Sequence, residues 1–195
     1  PLPRKQLAES LGVTEESLIS FRVGFTNIYD ANWFTFPLQD GQGRVVGIRL
    51  RKWNGSKLAV KGGREGLFVP TDAKRTGQIV ITEGPTDAAA LRDLGFNVIG
   101  RPSCTGGVQH IADFVQDSTF SEVAIAADGD DVGMRGAVAL AGVLRLKVEV
   151  VKVMAPPAGV KDVRAWKMAG ASDSDILALI DGTESYGFVS RSWCG

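Results

Sequence analysis

The alternation of apolar and polar positions changes period along the chain. Over residues 4–19, RKQLAESLGVTEESLI, the spacing of Leu7, Leu11 and Leu18 predicts two short helices parted at Gly12, with Thr14 placed to cap the second. The pair is too short and too poor in basic residues for a DNA-reading helix-turn-helix, so a structural lead-in is expected. Residues 33–60, WFTFPLQDGQGRVVGIRLRKWNGSKLAV, switch to a two-residue period around Asp40-Gly41 and Asn54-Gly55, and predict a β-meander. Period two places Arg49 and Arg51 on one face of a strand and Ile48 and Leu50 on the other.

From Gly77 onward, short apolar runs alternate with helical patterns. QIVITEG, FNVIGRPS, SEVAIAADGD and VEVVKVMAPP read as strands, and TDAAALRDLG, VQHIADFVQDS and VGMRGAVALAGVLR as the helices between them. Such an order predicts an α/β fold with a central parallel sheet flanked by helices, preceded by a small α+β subdomain. KDVRAWKMAGASDSDILALIDG adds two helices packed against it. The expected organisation is a front part over 1–76, a parallel-sheet domain over 77–155 and a helical extension over 156–195.

Charge changes this picture. The 22 Lys and Arg balance the 22 Asp and Glu, which excludes a uniformly basic DNA-coating protein. The balance is local: residues 1–77 hold 12 basic against 7 acidic side chains, and residues 78–195 hold 10 against 15. Between 44 and 64, Arg44, Arg49, Arg51, Lys52, Lys57, Lys61 and Arg64 occur without one carboxylate, a pattern that suits either a phosphate-facing patch or a solvated hairpin face. Two cysteines, Cys104 and Cys194, and one histidine, His110, cannot complete a four-ligand zinc site within the chain. No apolar run reaches the roughly 18 residues of a membrane span, and the first twenty residues hold no signal-like apolar block, so a cytoplasmic location is expected. No GxxxxGK[ST] phosphate loop occurs, so no ATP-driven motor is expected of these residues.

The chemistry-bearing residues fall at strand ends. Glu83 follows QIVIT at the carboxyl edge of the first parallel strand, where open α/β sheets place ligands, and Asp87 follows at the start of a helix. Asp128, Asp130 and Asp131 follow VAIAA in the same way, with Gly129 and Gly133 allowing close approach. Clustered carboxylates repel one another, whereas Mg²⁺ or Mn²⁺ would satisfy their oxygens and favour ionisation. Gly106 and Gly107 supply either amides for phosphate or a sharp strand-to-helix turn. Trp33 and Trp53 have rings suited to stacking on bases, although hairpin packing is the commoner role.

With these residues in order, the sequence resembles the Toprim domain family of bacterial-type primases, type IA and II topoisomerases, OLD nucleases and RecR-like proteins. The resemblance rests on ITEGPTDAAAL at 81–91, IGRPSCTGG at 99–107 and AADGDDVGMRGAVAL at 126–140. GRVVGIRLR followed by KLAVKGGREGLFVP resembles the basic subdomain before Toprim in bacterial and phage primases, and LKVEVVKVMAPPAGVKDVRAW resembles their strand, proline loop and Lys-Asp pair, here Lys161-Asp162. The likeness therefore extends over most of the chain and is nearest to the catalytic core of bacterial, phage or plasmid-type primases and primase-helicases. It implies a Toprim, Rossmann-like domain and template-directed RNA primer synthesis, in which a 3′-hydroxyl attacks the α-phosphorus of an NTP and pyrophosphate leaves.

By that resemblance Glu83, Asp128 and Asp130 are catalytic. Glu83 binds metal or works as an acid or base, Asp128 and Asp130 coordinate Mg²⁺ or Mn²⁺, and Asp87 and Asp131 coordinate or support the coordinating groups. Arg49, Arg51, Lys61 and Arg64 would meet template or nucleotide, with Arg101 and Lys161 approaching from the other side, and Gly84, Gly106 and Gly107 would offer backbone amides to phosphate. The implied partners are single-stranded DNA, NTPs, and a replicative helicase or zinc-binding domain outside this chain. A metal-dependent nuclease and a non-enzymatic DNA-binding replication or recombination module are the alternatives. Tyr29 and Tyr186 lack the large additional domain that carries a topoisomerase nucleophile.

Overall fold

The computed structural model describes residues 2–187. Its front part begins with α1 (Leu2–Leu11) and α2 (Glu15–Ser20), parted where Gly12 takes φ +67° and where a Cβ would lie 2.8 Å from Met168 Cγ. Thr14 caps α2 as expected, its hydroxyl accepting from the Ser17 amide at 3.2 Å. An antiparallel sheet follows, ordered β1 (Gly24–Ile28), β2 (Ala31–Gln39), β3 (Val45–Arg51) and β4 (Lys57–Ala59). β1 is an addition to the sequence reading. Its central residues Phe25, Thr26 and Asn27 are all exposed, so no alternation betrays it, and its hairpin to β2 turns through Tyr29 and Asp30 at φ +53° and +54°.

The second sheet contains β5 (Thr76–Thr82), β6 (Val98–Gly100), β7 (Thr119–Ala126) and β8 (Val150–Met154), all parallel, in the order β6-β5-β7-β8. Its crossovers are α3 (Pro85–Asp93), α4 (Val108–Gln116) and α5 (Asp131–Leu144), and α6 (Val163–Met168) and α7 (Asp173–Gly182) complete the described chain. Period two divides the strands between two cores. Ile79, Ile81, Val123 and Ile125 pack with Ile111 and Phe114 of α4 and Leu140 of α5, whereas Val80, Ala124 and Ala126 pack with the alanines of α3, Val163 of α6 and Ile176 and Ile180 of α7. Helices therefore cover both faces, as the apolar runs predict. Residues 188–195, with Cys194, lie outside the described residues.

The two sheets are tied together by residues 67–68. Leu67 and Gln39 exchange backbone hydrogen bonds at 2.6 and 2.8 Å, and Phe68 and Gly100 do so at 2.8 and 2.9 Å, so the meander hangs on the β6 edge. One hydrophobic cluster runs through Leu7, Leu18, Phe34 and Phe36 into Val80 and Leu91, fixing the front part against the parallel sheet. At the far end Ser172 and Asp175 form a reciprocal capping box on α7. Ser172→Ala is expected to cost about 1 kcal/mol in a urea denaturation, because it exposes an unpaired helix amide. No helix among the described residues is long and apolar enough to cross a membrane.

Candidate active site

β5 and β7 are neighbours in the sheet, so the residues following them meet at one carboxyl edge. Glu83 leaves β5 there and Asp128 leaves β7. Gly133, in the first turn of α5, lets them converge: a Cβ at this position would lie 2.9 Å from Glu83 Oε1 and 3.0 Å from the Asp128 backbone. Gly129 is pressed in turn against the loop before α6, its amide donating to the Lys161 carbonyl at 2.6 Å and its Cα facing the Val160 carbonyl too closely for a side chain. This contact brings Asp162 to the same edge.

Asp162 is buried and caps α6 by accepting from the Ala165 amide at 2.7 Å. Asp87, in the first turn of α3, has a buried Oδ1 with no hydrogen-bond partner. Burial and then the charges of Asp162 and Asp128 push its carboxyl up to about 7. Burial, followed by Glu83 and Asp162, pushes Asp128 up to about 6. Four carboxyl groups therefore gather at this edge; Asp162 and Glu83 have donors, whereas among the described residues Asp87 Oδ1 and Asp128 do not. Asp130 stands beside them, exposed, with Oδ1 accepting from the Gly133 amide at 2.7 Å as the cap of α5, and Asp131 is exposed in the first turn of that helix.

The opposing wall is basic. Arg49 and Arg51 of β3 and Lys57 of β4 line a cavity with Phe36, Phe68, Pro102 and residues 83–86. Arg49 pairs across the sheet with Phe36, and Arg51 with both Phe34 and Lys57, so all of these share the face turned toward the carboxylates. The Nε atoms of Arg49 and Arg51 are buried and unpartnered. Burial and Arg164 lower the Arg51 guanidinium, and burial with Arg51 and Arg49 lowers the Lys57 ammonium. Lys161 sits at the rim, largely exposed, its Nζ 3.7 Å from Asp162 Oδ2. Lys61 and Arg64 are exposed beyond β4 and do not line this cavity; Arg64 borders an adjoining groove that shares Arg49 and Pro102 with it.

Two expectations are corrected. Arg101 does not present itself to nucleotide or template: its side chain is 1% exposed, and it donates to Glu83 Oε1 and to the Gly136 carbonyl, both at 3.3 Å. It is a positioning residue for Glu83. Gly106 does not offer a free amide, because Ser103 accepts it through both its carbonyl and its hydroxyl. Gly107 occupies the left-handed region at φ +73° as the cap of α4, so the turn accounts for that glycine. Gly84 lines the cavity at the cap of α3.

Two site residues escape the sequence reading. Asp162 stands in the quoted Lys-Asp pair but is passed over for Lys161, because a loop residue after a later strand has no local sign of its destination. Lys57 lies in the carboxylate-free run, and counting three residues outward on each side of Asn54 places it opposite Arg51. Among the described residues no three His, Cys, Asp or Glu side chains form a ready-made ligand group for a metal ion. The donor set nonetheless suits a hard divalent cation, since the orphaned Asp87 oxygen and the mutual repulsion of Asp87 and Asp128 are both relieved by positive charge.

No family model matches the chain, and no curated protein matches it in sequence. Solved structures do match its fold. The primase fragment of the bacteriophage T7 primase-helicase is 19% identical, with a TM-score of 0.72 over 88% of this chain and 72% of that one. The Escherichia coli primase catalytic core is 16% identical, with a TM-score of 0.69 over 93% and 73%. A chain in a bacteriophage T7 complex of lagging-strand DNA polymerase with primase domains bound to an RNA/DNA hybrid and dTTP is 17% identical, with a TM-score of 0.74 over 91% of each. The chain thus has the fold shared by these proteins, a Toprim-type parallel sheet with an antiparallel basic subdomain in front of it.

Proposed function

We propose that this chain is the catalytic core of a DNA primase, joining NTPs into a short RNA on a single-stranded DNA template. One observation carries the reading: the sheet edge that gathers Glu83, Asp87, Asp128 and Asp162 opens through Glu83 onto a cavity lined by Arg49, Arg51 and Lys57, on this fold. Nucleotide condensation needs both walls. The reacting groups are polyanionic, so an acidic centre cannot hold them without cations nearby.

In this mechanism Glu83, Asp87 and Asp128, with Asp162 and the free oxygen of Asp130, would hold Mg²⁺ or Mn²⁺. The bound ion would supply activation of the attacking hydroxyl and neutralisation of phosphate charge. Arg101 holds Glu83 from beneath and limits its rotamers, so its carboxylate is oriented before substrate arrives. Arg49 and Arg51 present Nη donors from half-buried stems, where a phosphate oxygen gains more from a guanidinium than it would in water. Lys161 is free to reach the triphosphate from the rim. Single-stranded DNA and NTPs are the substrates proposed, with a helicase or zinc-binding domain contributing template choice.

The deciding experiment incubates the protein with single-stranded DNA, NTPs and Mg²⁺ or Mn²⁺ and separates the products on a gel. Oligoribonucleotides are expected. Template shortening would instead support a nuclease using the same carboxylates, and a mobility shift without turnover would support a binding module. Arg49→Ala with Arg51→Ala is expected to weaken single-stranded DNA binding at least about tenfold and to lower the slope of log K against log salt by about 1.4, which is roughly 0.7 for each phosphate contact. An unchanged slope would remove the template track from β3.

A further inference from the structure

The basic face of the meander does not end at Arg51. Phe25 pairs with Phe34 and Phe34 with Arg51, so Phe25 lies on the face that carries both arginines. Trp53, just past β3, sets its ring edge-on to Phe34 at 4.6 Å and 86°, and Phe25 meets Phe34 at 5.0 Å and 54°. Phe34 is completely buried, yet Phe25 is 40% and Trp53 49% exposed. Two exposed rings therefore flank a buried one and are braced by it.

Their surroundings indicate what covers them. Arg49 and Arg51 both border the crevice, and the Arg51–Phe34 pair lies two residues along the strands from Arg49–Phe36, about 7 Å nearer to Trp53. Arg51 also reaches the turn that holds Trp53, its Nη2 lying 3.9 Å from the position a Cβ would take on Gly55. No carboxylate occurs between residues 44 and 64. Flat exposed rings beside cations, on a stretch of chain without a carboxylate, match an unpaired nucleic-acid strand, whose phosphates follow the cations while its bases lie on the rings. An anionic partner without bases would use only the cations. Trp33 is excluded from this role, being buried, with its indole N–H given to the Ile28 carbonyl at 2.9 Å and the Lys52 ammonium over its ring.

We infer that Trp53 and Phe25 form a base-stacking shelf for unpaired template nucleotides, one strand step outside the carboxylate crevice. The inference rests on the primase reading for the identity of the strand. The test compares fluorescence-anisotropy titrations of an oligothymidylate and an abasic oligonucleotide of equal length, at several salt concentrations. Wild-type protein is expected to bind the base-bearing strand about tenfold more tightly. Trp53→Ala should erase most of that preference without altering the salt slope, Trp53→Phe should retain it, and Arg51→Ala should weaken both strands alike and reduce the slope by about 0.7.

Equal binding of the two strands by the wild type overturns the shelf with no variant needed. A Trp53→Ala loss that is as large on the abasic strand also overturns it and assigns the ring to hairpin packing. Base preference without primer synthesis keeps the shelf and removes the primase reading, whereas primer synthesis without base preference does the reverse.

Discussion

Asp128→Asn is expected to eliminate primer synthesis, a loss of at least about a thousandfold, or about 4 kcal/mol of transition-state stabilisation, while the protein stays as stable as the wild type or becomes more so. The first half follows from position. Asp128 stands where Glu83, Asp87 and Asp162 converge, and its amide isostere supplies only a neutral oxygen to any cation held there. The second half follows from the free protein, where burial and neighbouring carboxylates already make charge on Asp128 costly. Glu83→Gln should also abolish activity, but without the same gain, because it removes the counter-charge of the buried Arg101 guanidinium. Primer assays paired with thermal melts separate the outcomes, and full activity in Asp128→Asn would remove this residue from the proposed centre.

Asp87→Asn should raise the melting temperature of metal-free protein by several degrees at pH 8 and by almost nothing near pH 4. Asp87 has a folded-state value of about 7 against an ordinary 3.8, so between those limits the folded state holds a proton that the unfolded chain has released. Stability therefore falls as pH rises through this window and stays at its reduced level above it. Asparagine carries no such penalty. The full shift corresponds to about 4 kcal/mol, and because it is shared with the neighbouring Asp162 and Asp128 the expected gain is about 2 kcal/mol, or roughly 4–8 °C for a chain of this size. Added Mg²⁺ should stabilise wild type more than Asp87→Asn and so narrow the gap. A variant that melts lower at pH 8, or a difference independent of pH, would show that Asp87 is not electrostatically strained.

Strain of this kind identifies functional carboxylates better than their number does. Asp131 and Asp175 are equally acidic by type, yet Asp131 is an exposed residue in a helix first turn and Asp175 is satisfied within a capping box. Asp93, by contrast, is buried and accepts from Thr14, Ser17 and Lys167, which pull its carboxyl below the ordinary range despite burial. Asp93 is structural, pinning α2 to the parallel-sheet domain. Asp87 has an orphaned Oδ1 and only a long 3.4 Å contact from the Thr86 hydroxyl at Oδ2, and that difference separates a site from a brace.

Much of this was legible in one dimension, because the relevant physics is local. A two-residue period makes a strand two-faced, so Arg49 and Arg51 could be placed together before any fold was known. Buried strands interleaved with helices dictate a parallel sheet, and residues at strand ends must then lie at its carboxyl edge, which located Glu83 and Asp128. The exposed β1 escaped because a strand with little buried surface has no pattern to read.

What tertiary structure decided was which local pieces meet, and whether a charge meets water or protein. Asp162 joins Glu83, Asp87 and Asp128 through a loop pressed onto Gly129, and Lys57 faces the crevice through its pairing with Arg51. Arg101, which by sequence belongs beside substrate, is buried beneath Glu83, and the Gly106 amide turns back onto Ser103. The sequence alone determined the repertoire of charges, the two periods and the edge at which chemistry gathers. Partner and burial depend on strand order and on close backbone approach, and strand order here departs from chain order, so no periodicity along the chain encodes them.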